Sequence, residues 1–120
     1  MLNLGIRAHD MGALTLEELT TELAKKNIKA VQRAIGKSFP YWNVGPGGLT
    51  TGLGTHIKNA FDDKNVKIAV MGCYINMIHP DETARRKEIE KFKEYIRYAS
   101  DFGCKIVGTE TGTLNVTSGY

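Results

Sequence analysis

Four short apolar runs recur along the chain, at residues 2–6 (LNLGI), 28–31 (IKAV), 66–74 (VKIAVMGCY) and 105–107 (KIV). None alternates strictly between apolar and polar positions, as a strand with one wet face would. A strand covered on both faces reads instead as a near-continuous apolar run, the mark of a parallel sheet packed under helices. Segments with helical periodicity separate the runs. The order is therefore β-α-β-α-β-α-β, with strands starting roughly 25 to 40 residues apart, an ordinary spacing for βαβ units. The expected class is α/β: four parallel strands alternating with three helices, in sheet order 1-2-3-4 because such units cross over right-handed.

Each helix carries its own start and stop signals. Thr15-Leu16-Glu17-Glu18 makes a capping box, with Leu14 and Leu19 placed as a hydrophobic staple across it. Leu16, Leu19 and Leu23 then mark one face, and Asn27 is the stop. The second helix opens near Thr50 or Thr51, lines up Leu53, Ile57, Ala60 and Phe61, and ends at Asn65; Gly52 and Gly54 weaken its first turn. The third opens at Pro80-Asp81, carries Ile89, Phe92, Ile96 and Ala99 on one face, and ends at Gly103. Residues 37–48 (KSFPYWNVGPGG) break this rhythm. A long aromatic, glycine-rich loop of that kind is either functional or a hydrophobic lid.

Composition narrows the class. A chain of 120 residues, 42% apolar and 24% charged, is bounded as a single soluble globular domain, 1–120, with a modest core. No apolar run reaches the roughly 18 residues of a membrane helix. The N-terminus runs straight into a strand-like segment with no basic or apolar leader, which makes the cytoplasm the default location. A net charge of +3 makes no case for nucleic acid, because the basic residues of 85–97 are interleaved with Glu88, Glu90 and Glu94, as on a solvated helix face. Cys73 and Cys104 match no zinc or redox spacing and fall at opposite ends of neighbouring strands, so both read as reduced thiols. The turn after the first strand reads GIRAHDMG, not G-x-G-x-x-G. Walker A, C-x-x-C and G-x-S-x-G patterns are absent too, which leaves dinucleotide, P-loop, redox and nucleophile-elbow readings without support.

The functional signal lies in where the polar residues gather. The first strand runs out into Arg7, His9 and Asp10, and the second into Gln32 and Arg33. The third runs into Tyr74, Asn76 and His79, and the fourth into Thr109, Glu110 and Thr111. The opposite ends offer ordinary solvated residues: Asn27, Lys29, Asn65, Lys67 and Lys105. In parallel α/β folds ligands bind at the carboxyl ends of the strands. Glu110 is the strongest single signal, since a carboxylate directly after a buried strand is costly without a partner or a task. His79, before Pro80, serves equally well to shape a turn; His9 suits an exposed loop, and His56 a solvent-facing helix position.

The run GCYINMIHPDETARRKEIEKFKEYIRYASDFGCKIVGTETGTLN, with GIRAHDM upstream, resembles the β3-α3-β4 region of the xylose isomerase-like TIM barrels. More narrowly, it is similar to the sugar phosphate isomerase/epimerase group. The resemblance implies the N-terminal half of a (β/α)8 TIM barrel, strands one to four, because a whole barrel takes about 250 residues. It implies a metal-dependent enzyme that moves a carbon-bound proton through an enediolate, on a small carbohydrate or sugar phosphate. The family's divalent cation (Mn, Mg, Co or Zn) is held by two Glu, one Asp and one His from strands five to eight. No catalytic residue, no metal ligand and no tight metal binding are therefore expected in these 120 residues, nor activity from them alone. Arg7, His9, Gln32, Tyr74, Asn76, His79 and Glu110 are expected to line the substrate pocket.

Two alternatives stand beside this reading. The AP endonuclease branch shares a Y-x-I-N…H-P run, but its metal-binding histidines are replaced here by Val70 or Met71 and by Glu110-Thr111-Gly112. That argues against a zinc cluster and against DNA. The other is a binding module: a half-barrel whose open sheet edges pair with another copy, dimeric, aggregation-prone or marginally folded when alone.

Overall fold

The computed structural model describes residues 3–39, 45 and 47–117. Strands β1 (Gly5–Arg7), β2 (Ala30–Arg33), β3 (Lys67–Gly72) and β4 (Val107–Gly108) form one sheet in the order 1-2-3-4. Every neighbouring pair is parallel. Three long helices, α1 (Leu16–Lys25), α3 (Thr51–Asp63) and α4 (Glu82–Tyr98), join them, with a four-residue α2 (Ile35–Ser38) between β2 and α3. This is half of a TIM-barrel sheet with its helices.

Local chemistry sets the helix ends. At α1, the Thr15 hydroxyl accepts from the Glu18 amide at 3.2 Å and the Glu18 carboxylate accepts from the Thr15 amide at 2.9 Å. Both halves of the capping box are formed. The Thr50 hydroxyl accepts from the Leu53 amide at 3.0 Å, and the Asp81 carboxylate from the Ala84 amide at 2.7 Å. Asn27 and Asn65, at φ 56° and 55°, take the left-handed conformation that turns the chain out of α1 and α3.

The helices bury Leu19, Leu23, Ile57, Phe61 and Tyr95 against Val31, Ile68 and Met71 of the strands. One expected core position differs: Ile96 is 56% exposed, and Tyr95 is buried. The sheet-facing stripe of α4 runs 88–92–95–99 in steps of three and four, which leaves 96 at its margin. The strands also start later than the apolar runs, because burial begins before backbone pairing. Ile28 already packs on the core, whereas the ladder starts at Ala30. The turn Ala8–Met11, the turn Ala99–Phe102 and α2 were not foreseen, being too short to show a period. The start of α2 lies just before the aromatic loop expected at 37–48, of which 40–44 and 46 lie outside the described residues.

Helices cover one face of the sheet only. On the other, residues of β1, β2 and β3, among them Gly5, Ala30, Gln32, Ala69 and Val70, line an open trough of about 260 Å³. Gln32 and Arg33, grouped by sequence at one rim, part company here because successive strand residues face opposite ways. Gln32 borders the trough, while Arg33 is fully buried on the other side, between Phe39 and Phe61. Cys73 and Cys104 are both free and buried. Among the described residues no helix is long and apolar enough to cross a membrane.

Candidate functional site

The carboxyl ends of β3 and β4 are held together beyond the strands themselves. The Cys73 amide donates to the Gly108 carbonyl at 2.8 Å, so the two chains leave the sheet side by side. Gly72 lets Tyr74 fold back over the strand end: a Cβ there would stand 3.2 Å from the Tyr74 ring. Asn76 then ties the two loops. Its Nδ2 donates to the Thr113 carbonyl at 2.7 Å, and its Oδ1 accepts from the Thr113 amide at 3.1 Å and the Ile78 amide at 3.3 Å. Gly112 sits against that carboxamide at φ 84°, in the left-handed region where a side chain would be both strained and obstructed.

These ties leave a cavity of about 560 Å³ at the rim, within the ordinary range of small-ligand sites. Tyr74, Asn76, His79, Glu88 and Glu110 line it, with Gly112, Thr113, Asn115 and Val116 closing one side. His79 sits in the turn into α4. Its Nδ1 accepts from the Asp81 amide at 3.0 Å and its carbonyl accepts from Arg85 Nη1 at 2.8 Å. His79 thus shapes the turn, and it also stands in the lining of the cavity.

Four of the seven residues expected at the pocket (Tyr74, Asn76, His79 and Glu110) meet in this cavity. Of the other three, Gln32 and His9 meet Tyr74 and Arg7 does not. Gln32 Nε2 donates to the Tyr74 hydroxyl at 2.8 Å, and the His9 ring stands edge-on to the Tyr74 ring with centroids 6.4 Å apart. Arg7 Nε pairs with Asp10 at 2.9 Å, and Arg7 and Gln32 border the trough rather than the cavity. His9 is half-buried, not a free loop residue, and its Nδ1 has no hydrogen-bond partner among the described residues.

Glu88 was missed. Its Oε2 accepts from the Asn76 amide at 3.1 Å, which helps hold the cavity floor. The signal was present, since Glu88 is a carboxylate on the sheet-facing stripe of α4. Cys73, next to the cavity, is no nucleophile at neutral pH, because burial pushes its thiol up to about 11.

The donor set does not fit a divalent cation. Among the described residues no three His, Cys, Asp or Glu side chains are grouped to hold one. Within the cavity, Glu88 and the His79 Nδ1 are already engaged by backbone amides. Residues 7–119 match the family model described as the xylose isomerase-like TIM barrel. No curated protein matches the chain.

Proposed function

The chain belongs to the xylose isomerase-like TIM-barrel family, and from that premise we propose that it forms one wall of the substrate pocket of a sugar or sugar-phosphate isomerase or epimerase. The observation that carries this reading is the cavity at the ends of β3 and β4, where Tyr74, Asn76, His79 and Glu110 converge. TIM-barrel ligands bind at that face. A carboxylate, an imidazole and an aromatic wall suit a polyhydroxylated ligand, with Glu110 accepting from sugar hydroxyls and Tyr74 offering its ring to the carbon face. A divalent cation, where the family's barrels hold one, would polarise the sugar's oxygens; the residues described here do not supply its ligands. The role of the residues here is to bind and orient.

Thermal melts with D-xylulose, D-xylulose 5-phosphate and glycerol test the reading. A ligand that binds only the folded state raises its stability by mass action. Tm is expected to rise with D-xylulose, whatever its phosphate adds, and less in Glu110→Gln. An equal rise with glycerol, or none with D-xylulose, contradicts it.

A second reading, a half-barrel that closes by self-association, is favoured by the open trough and by Leu4 and Ile106, 64% and 56% exposed beside the edge strands. The family match covers the AP endonuclease branch as well; against that branch, where its third-strand histidine would stand, Met71 is fully buried and Val70 is an ordinary half-buried strand residue.

A further inference from the structure

His79 meets the cavity with its two ring nitrogens in different circumstances, and that difference assigns its role. A backbone N–H can only donate, so the 3.0 Å contact from the Asp81 amide requires a lone pair on His79 Nδ1. The neutral ring must then carry its proton on Nε2. The arrangement is local and rigid. Asp81 also caps α4 through its carboxylate, and the His79 carbonyl is held by Arg85. Switching tautomer would set an N–H against an N–H at the entrance to α4. From this geometry we propose that His79 is a fixed hydrogen-bond donor, presenting Nε2–H to an oxygen of a hydroxy-carbonyl sugar, and that it is not a metal ligand.

The cavity is thereby divided into a donor, His79, and an acceptor, Glu110, both in its lining. A sugar hydroxyl satisfies either partner, whereas a carbonyl oxygen satisfies only the donor. His79 thus favours a carbonyl or hydroxyl oxygen over a cation. The inference rests on the sugar-binding reading above, and its test separates the two.

The experiment is imidazole ¹⁵N NMR of the 120-residue chain, together with D-xylulose binding by wild type, His79→Asn and His79→Gln. An Asn carboxamide can accept from the amide two residues on, as Nδ1 does, but is too short to donate where Nε2 does. A Gln carboxamide reaches the Nε2 position. The wild-type ring is expected as the Nε2–H tautomer, unchanged by Zn²⁺ alone. His79→Asn should keep the wild-type Tm and bind D-xylulose about three- to tenfold more weakly, the worth of one lost hydrogen bond. His79→Gln should bind within about twofold of wild type. An Nδ1–H tautomer, a Zn²⁺-induced change at the ring, or wild-type affinity in His79→Asn overturns the proposal. If wild type itself binds no D-xylulose, the sugar-binding reading fails and takes the donor role with it.

Discussion

Arg33 carries a charge into the helix-facing side of the sheet with no anion among the described residues to meet it. Its guanidinium lies 4.1 Å from the Phe39 ring centroid and 4.7 Å from that of Phe61. None of its nitrogens has a hydrogen-bond partner among the described residues. Two desolvated cation–π contacts return about 2 kcal/mol each, against a burial cost of several kcal/mol per ion. Burial pushes the group down to about 9, well below its ordinary value. For a base lowered on folding, the unfolded chain binds more protons between the folded value and the ordinary one. The penalty is therefore complete below pH 9 and is relieved only as pH rises above it. Arg33→Met, close in volume, is expected to raise unfolding stability by about 1–4 kcal/mol in a urea melt, and a loss would reveal an acceptor for the guanidinium. Cys73 acts in the opposite sense. Its thiol is raised from 9.0 to about 11, chiefly by burial, so the folded chain keeps a proton that the unfolded chain releases. Its contribution is complete below pH 9 and is lost as pH rises through 11. The alkaline fall in Tm should be shallower in Cys73→Ala, and identical slopes would show that the thiol is not held neutral. The burial of Cys73 follows from its place in the apolar run 66–74, whereas no local pattern announced that of Arg33. Arg33 read as a rim residue because sequence shows where a strand ends more readily than which face a residue takes.

At the scale of elements, what is local was legible and what is distant was not. The capping box at Thr15, the Thr50 and Asp81 caps and the left-handed Asn27 and Asn65 depend on residues within one turn, and all appeared in the sequence. The ties between distant segments do not. Asn76 meets Thr113 across 37 positions, and the Glu94 carboxylate accepts from the Leu49 and Gly47 amides across 45 and 47. Gly54 shows the cost of reading locally. It looked like a weak point in the first turn of α3, yet it is where α3 meets the Ala99–Phe102 turn. A Cβ there would fall 2.7 Å from Asp101 Cβ and 3.1 Å from Phe102 Cδ2. Gly54→Ala gains about 1 kcal/mol in helix propensity, but overpacking costs about 1–3 kcal/mol. A net destabilisation of about 1 kcal/mol is expected by chemical denaturation. A stabilised variant would mean that the turn yields.

Across the whole molecule, four parallel strands leave β1 and β4 as sheet edges, and helices cover one face only. Strand edges beside exposed Leu4 and Ile106 are templates for pairing with another chain. Light scattering should show association that grows with concentration and weakens in Ile106→Lys; a monomer at high concentration with a cooperative melt would contradict it. The fold class was legible because four apolar runs and three periodic segments admit few arrangements. The site was legible only as a rim, because which polar residues converge depends on loops that sequence does not shape. We infer that this rim, at the ends of β3 and β4, is a sugar-binding wall, which amide chemical-shift mapping of the chain during titration with D-xylulose can test. Saturable shifts are expected at Tyr74, Asn76, His79, Glu110 and Thr113, with α1 and the amino ends of the strands unmoved. Saturable shifts centred on those distant elements, or no shifts at the rim, would contradict it.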